Sequence, residues 1–520
     1  MKQSMRSITS VLLALAMLAT LLSTAAFAAT PLGTAVPEQK VVTLHYDVDG
    51  NDVEGKILYS DSYFNRSGYE YRQALTDASL GMAWASGSSA DAVKAHDFAA
   101  EPNNWKEFAE SCGFTNIDHN KWLGALPEAN SMGVQTASKT VKDKNGEATL
   151  IAVGCRGFGY RAEWGGNFNI GPEGEHRGFA IGRDETLQHL KEYIEKYHIT
   201  GRIKVWLSGY SRGGSVSNMA AGALDDGYDL GPNVTLSRDD IYAYPFEAPK
   251  GVMKENAMDK KYDNIHNIIN SADLVPTVAF AQWGFCRYGI DHIVPARSSA
   301  AYKDYHDNMA AMLSTVPYEE GAKGKYGPDT FQAYGIDRKD IEARNFSKIV
   351  KNDTTIEQFL YNVSEALTTV FTTSRQDYYE NLEQGFVEAL VLYGRTDDYE
   401  IKDALNLFTQ KLQSHGPQLF QYLILDSDKA TDLILDDATA AFRETNMTGM
   451  TTAQLKKLLS EVVPRLAKMA AVYPGTTLTL LMNINMVAMD HYSAPVWSWI
   501  STLPVDYLAT HTAYSWQDTK

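Results

Sequence analysis

The sequence predicts an α/β fold: a mostly parallel sheet covered by helices, with a large helical insertion late in the chain. Three observations carry this. From about residue 134 to 295, short apolar runs alternate with segments of helical periodicity, the pattern of parallel strands buried on both faces and joined by helices. Within that stretch a glycine-flanked serine stands between an apolar run and a helix rich in small residues. From 300 to 480 apolar residues recur three and four apart, as in amphipathic helices.

In chain order, the first 28 residues stand outside the fold. Lys2 and Arg6 precede an apolar run over 11–22, too short to span a bilayer, and Ala26-Phe27-Ala28 fits the small-x-small cleavage rule. Export by a signal peptide, with a mature start near Ala29, is the expectation. No cysteine follows the apolar run to carry a lipid, and no later run of ~18 apolar residues follows, so release outside the cell without a stable membrane anchor is expected. Residues 41–60 read as a hairpin, with VVTLHYDV and VEGKILYS flanking the turn Asp49-Gly50-Asn51-Asp52. Residues 68–125 read as mostly helical. Strands are expected at 149–155, 203–208, 241–244 and 265–270, and helices at 184–198 and 214–224. In the insertion, Thr354 forms a capping box with Glu357 ahead of Phe359, Leu360, Val363 and Leu367, and Thr451 forms a second with Gln454 ahead of Leu455, Leu458 and Leu459. The expected organisation is a core over 40–299 plus 481–520, with 300–480 inserted as a cap.

Composition narrows the function. The chain has 520 residues, 44% hydrophobic and 21% charged, which excludes a disordered protein. Its net charge of -17 and pI of about 5.2 argue against nucleic acid and anionic lipid as partners. Three cysteines do not make a disulfide scaffold. Cys155 lies in an apolar run and reads as a buried small hydrophobe, and Cys112 with Cys286 is the one pair that could bridge. No CxxC or HExxH occurs, so no metal or other cofactor is expected.

The chemistry concentrates in Gly209-Tyr210-Ser211-Arg212-Gly213, a G-x-S-x-G between a strand and a helix. A serine at so sharp a turn has a strained backbone, and its neighbours two positions away must be small. The turn lifts the hydroxyl above the sheet and aims a helix N-terminus, with its positive dipole potential, at a developing oxyanion. Ser211 is the expected nucleophile. A serine nucleophile needs a base, and the base an orienting carboxylate, in the chain order serine, acid, histidine. Asp273 follows an apolar strand and is the expected acid, with Asp291 second. His491, ahead of the final helix, is the expected base, with His292 second.

These residues resemble the class 3 (fungal-type) lipase-like α/β-hydrolase family. Cys155-Arg156-Gly157-Phe158 with Glu163-Trp164 is similar to that family's F-R-G-T/S and D-W. His176-Arg177-Gly178-Phe179 is similar to its H-x-G-F, Asn270 to Pro276 to its N-x-D-x-V-P, and Asp490-His491 to its C-terminal D-H. The resemblance implies an α/β-hydrolase fold, Ser211, Asp273 and His491 as triad, and the backbone amides of Phe158 and Arg212 as oxyanion donors. Three features depart from the pattern. Phe158 stands where Thr or Ser is usual, Tyr210 and Arg212 replace the common His and Leu, and 218 residues separate Asp273 from His491.

The function expected is a secreted serine hydrolase of carboxylic esters, lipase- or esterase-like, acting on a small-molecule or lipid ester through an acyl-enzyme. An amidase, peptidase or acyltransferase using the same triad is the alternative, as is a non-catalytic binding protein on a hydrolase scaffold.

Overall fold

The computed structural model describes residues 39–48, 51–87, 103–123, 128–157, 163, 165–296, 299–313, 363–364, 366–395, 407, 411, 414–415, 418–419, 422, 425–444, 452–473, 491 and 493–517. Described residues within 22–160, 174–330 and 490–520 form one compact unit, and those within 161–173 and 331–489 another. The expected signal peptide, the first capping box and Thr451 lie outside the described residues.

The larger unit opens with the expected hairpin. Strands β1 (Lys40–Val48) and β2 (Asn51–Tyr59) pair antiparallel from Lys40 opposite Tyr59 to Val48 opposite Asn51. Helices α1 (Gln73–Ala85) and α2 (Asn103–Ser111) follow. The helical reading of 68–125 then fails at β3 (Thr115–His119). Gly113, at φ 81, turns the chain out of α2, and the Phe114 N–H returns to the Ala109 carbonyl. The next residues take their hydrogen bonds from β4 (Val134–Asp143) as an edge strand. Pairing across the sheet overrides weak local preference there.

Strands β5 (Gly146–Cys155), β6 (Gly201–Tyr210), β7 (Ile241–Phe246), β8 (His266–Ile269) and β9 (Ile290–Ile293) run parallel. The main path of the sheet is β10-β9-β8-β7-β6-β5-β4-β3, with β10 (Thr512–Ala513), β4 and β3 antiparallel to their neighbours. Helix α3 (Arg177–Lys196) carries the chain from β5 to β6, and α4 (Arg212–Asp225) leads on towards β7. This is the expected α/β arrangement, a mostly parallel sheet with helices joining its strands.

Alternation along β6 builds both faces. Ile203, Val205 and Leu207 join Phe179, Leu187 and Leu190 of α3 and Val216, Met219 and Ala220 of α4 in one buried core. Each fully buried valine, leucine, isoleucine, phenylalanine or methionine side chain among them contributes about 1.5–3 kcal/mol. Trp206 and Ser208 face α1, where the Trp206 indole N–H donates to Ser79 Oγ at 2.8 Å and Ser208 Oγ to the Ser79 carbonyl at 2.8 Å. Tyr59 and Phe64 pack on the Trp206 ring. At the amino end of β6, Lys204 is buried between Asp143 at 2.9 Å and Asp240 at 2.5 Å. Arg202 closes that network with paired bonds to Asp143, both 2.8 Å. Its fixed charge is thus neutralised at the end of the strand opposite Ser211. All three cysteines are buried and free, so the Cys112–Cys286 bridge does not form. Cys112 lies by Tyr59, on the α1 face, whereas Cys286 belongs to the core beneath α3 and α4.

In the second unit, helices Ser427–Glu444 and Thr452–Val472 bury Ile434, Leu435, Ala438, Leu459 and Val463 against one another. Residues 165–171 belong to this unit. The Gly171 N–H donates to Glu383 at 2.7 Å, Arg375 Nε to the Gly171 carbonyl at 2.7 Å, and the Tyr378 hydroxyl to the Phe168 carbonyl at 2.7 Å. The sequence reading places the insertion at 300–480, whereas helix α5 (Ala300–Leu313) packs within the larger unit, Tyr302 lying against Trp499. Among the described residues no helix is long and apolar enough to cross a membrane.

Candidate active site

The site begins with the turn from β6 to α4. Ser211 sits there at φ 55 and ψ −121, a conformation that L-residues rarely adopt. Its N–H is tied to the Phe246 carbonyl at 2.9 Å, and its carbonyl accepts the first helical bond, from Ser215 N–H at 3.0 Å. Glycines make the turn sterically feasible. A Cβ on Gly209 would lie 2.3 Å from the Gly213 carbonyl oxygen, and one on Gly213 would lie 2.3 Å from the Cys155 oxygen. Gly157, after β5, is held to glycine by the same turn, because its Cβ would fall 1.9 Å from the Tyr210 oxygen.

Asp273 follows the carboxyl end of β8, the edge at which parallel sheets bind ligands. The Asp273 N–H donates to the Asn270 carbonyl at 3.0 Å, closing a tight turn. Asp273 Oδ1 accepts the Val275 N–H at 2.8 Å, which leaves Oδ2 for a partner beyond the turn. That partner is His491: its Nδ1 lies 2.5 Å from Asp273 Oδ2, and its Nε2 lies 2.9 Å from Ser211 Oγ. All three side chains are buried. With Nδ1–H donated to the carboxylate, Nε2 carries the lone pair that faces the hydroxyl. The structure thus brings together Ser211, Asp273 and His491 in a hydrogen-bonded series.

The second choices lie elsewhere. His292 has its Nδ1 2.7 Å from the Leu508 carbonyl and its Nε2 2.9 Å from His266 Nδ1, so both ring nitrogens are engaged away from Ser211. Burial pushes its pKa down to about 4, and its ring stacks on Tyr71 at 4.1 Å. Asp291 is paired with the Arg287 guanidinium at 2.5 Å instead of with a histidine. His176 precedes α3 and stacks on Phe179 at 3.8 Å.

Arg212 opens α4, and the first turn of a helix presents amides without intrahelical acceptors. Its buried side chain points away from the serine, donating to the carbonyls of Asn130 at 3.1 Å and Ser131 at 3.0 Å. Phe158 lies outside the described residues, as do Trp164 and Asp490.

Two contributors escaped the sequence reading. Tyr210 is buried, and its hydroxyl donates to the His491 carbonyl at 2.9 Å. Glu247 is fully buried just after β7, and both its carboxyl oxygens accept the Asn270 N–H, at 2.8 and 3.1 Å. The one sequence signal for Glu247 is a charged residue directly after the apolar run of β7.

Residues 171–283 match the family described as lipase (class 3). No curated protein matches the chain. Among solved structures the chain is similar to the triacylglyceride lipase of Rhizomucor miehei, with 15% identity over 43% of this chain and 82% of that one and a TM-score of 0.30. It is similar to lipase II from Rhizopus niveus, with 11% identity over 42% of this chain and 80% of that one and a TM-score of 0.27. The lipase from Rhizopus microsporus var. chinensis gives 13% identity over 42% and 74%, with a TM-score of 0.27. That family match spans strand β6, the serine turn and the turn that carries Asp273, the segments that the geometry singles out.

Proposed function

We propose that this is a secreted serine esterase that cleaves carboxylic esters through Ser211, His491 and Asp273. The observation that carries the reading is the unbroken series from Ser211 Oγ through the His491 ring to Asp273, at 2.9 and 2.5 Å, on a strained strand-to-helix turn. In this mechanism His491 Nε2 takes the proton of Ser211 as its oxygen attacks the ester carbonyl. Asp273 holds the ring in the tautomer that makes this possible and stabilises the imidazolium. The backbone amides of Arg212 and Phe158 receive the negative charge of the tetrahedral oxygen. His491 returns its proton to the leaving alcohol, and water then hydrolyses the acyl-enzyme by the same relay. The amino-terminal 28 residues act as the export signal.

The test is hydrolysis of p-nitrophenyl esters from acetate to palmitate, with Ser211→Ala and His491→Ala beside the wild type. Each variant should lose at least ~10³-fold in kcat. A wild type inactive on every ester and unreactive to a fluorophosphonate would sink the proposal. Ser211 labelling without ester turnover would move the substrate to an amide.

A further inference from the structure

Glu247 places a second carboxyl group beside the acid of the triad. Its backbone sits at φ 45, in the left-handed region that a residue with a side chain enters at a cost. Its N–H donates to the Ile268 carbonyl at 2.9 Å, while its carboxyl group receives the Asn270 N–H. Asn270 in turn accepts the Asp273 N–H through its carbonyl. Glu247 therefore grips the turn that carries Asp273, and its side chain is also hydrogen-bonded to the Asp273 side chain.

That last contact requires a proton. Two ionised carboxylates offer only acceptors and cannot bond to each other. Asp273 is already committed as an acceptor on both oxygens, to Val275 N–H at Oδ1 and to His491 Nδ1 at Oδ2. The proton between the pair must then come from Glu247. We infer that Glu247 is a positioning residue, held as the neutral acid, whose O–H donates to Asp273 and fixes that carboxylate against His491.

The surroundings agree. Burial and the negative charge of Asp273 hold the Glu247 carboxyl well above the ordinary range, and Arg287 is the cation that opposes them. Arg287 is itself neutralised by Asp291 at 2.5 Å, and it donates to the carbonyls of Ala248 at 3.0 Å and Pro276 at 2.7 Å. The charged and titratable groups around Glu247 are thus Asp273 with His491 beyond it, and Arg287 with Asp291 behind it. A neutral donor here draws charge from Asp273 without adding a second anion, which would make His491 too basic to stay unprotonated as the base.

The catalytic part of this inference rests on the triad reading, whereas the proton on Glu247 rests on its burial and its contact with Asp273, so the test has two arms. In the first, infrared difference spectra of the full chain at pH 7 compare wild type with Glu247→Gln. The expected result is loss of the carbonyl stretch of a protonated carboxylic acid. Loss of carboxylate bands instead would overturn the inference. This arm needs no activity, so it stands even if no ester is hydrolysed. In the second arm, pH profiles of kcat/KM compare Glu247→Gln and Glu247→Leu. The glutamine amide can both donate to Asp273 and accept from Asn270, and should stay within about threefold of wild type with an unmoved acid limb. Leucine can do neither and should lower kcat about tenfold or more, with KM little changed. Its acid limb should move to higher pH, because Asp273 then stabilises the imidazolium more strongly. An acid limb that shifts equally in both variants, or in neither, would reduce Glu247 to a packing group. Should the leucine variant fail to fold, the glutamine profile and the infrared spectra decide.

Discussion

The Tyr210 hydroxyl donates to the backbone carbonyl of His491 at 2.9 Å, joining the residue before the serine to the residue that faces it. Tyr210 is also where the sequence departs from the family's usual histidine, and the departure has a structural use. His491 must keep a short bond at each ring nitrogen, and an anchor on its backbone restricts the ring to that geometry. Removing the hydroxyl leaves a buried carbonyl without this donor, a loss of about 1–3 kcal/mol. Tyr210→Phe should therefore lower kcat by about tenfold with KM nearly unchanged, since the loss falls on the relay and not on substrate contacts. Steady-state kinetics on a short-chain ester would read this. A phenylalanine variant with wild-type kcat would show that the anchor is dispensable.

The serine turn makes a second prediction. A Cβ at Gly213 would lie 2.3 Å from the Cys155 carbonyl oxygen and 3.0 Å from the Arg156 carbonyl carbon. These are main-chain atoms of the neighbouring strand end, which cannot rotate out of the way. Gly213→Ala must then push the start of α4 away from β5, moving Ser211 relative to His491. Displacement by about 1 Å costs on the order of 10²-fold in rate, so kcat should fall at least that far while fluorophosphonate labelling of Ser211 slows in parallel. Retention of labelling at the wild-type rate would mean that the turn absorbs the methyl group elsewhere.

How much of this was legible beforehand follows from the range of each signal. The parallel strands were legible because burial on both faces leaves an apolar run of five or six residues, as in β7, where every residue is buried. The serine turn was legible because its glycines stand two residues on either side of the serine, and a side chain on Gly209 would meet the Gly213 carbonyl within that short span. Asp273 was legible as a candidate acid from a strand end followed by Pro276. His491 was less legible as a candidate base, because it lies 218 positions beyond Asp273 and no local pattern marks a histidine that meets its partner only in the folded chain. His292 competed on the strength of its nearness in sequence, and its engagement with His266 and Leu508 depends on strand pairing that sequence spacing does not report. Strand β3 was lost for the same reason, since its hydrogen bonds come from β4. Glu247 acts through buried contacts to distant main chain and carries no motif, and Tyr210 stands inside the serine motif at a position whose bond to the His491 carbonyl the motif does not report.

His189 gives the sharpest pH dependence outside the site. It lies buried on α3, with its Nε2 3.1 Å from the Thr136 hydroxyl, and burial pushes its pKa down from 6.5 to about 4. Asp118 and Glu192 pull the other way without overcoming the burial. The folded protein therefore keeps the ring neutral at pH values where the unfolded chain has already taken up a proton. Below the unfolded pKa the unfolded state binds more protons, so stability falls as pH drops from about 6.5 towards about 4. Over that window the full shift corresponds to a loss on the order of 3 kcal/mol. His189→Gln keeps an amide within reach of Thr136 and removes the titration. Thermal midpoints measured from pH 7 down to about pH 4.5 should fall less steeply in the variant, with the difference between the two proteins opening below pH 6.5. Parallel curves across that window would show that His189 takes up its proton without cost in the fold, and that the acid sensitivity of the chain arises from other groups.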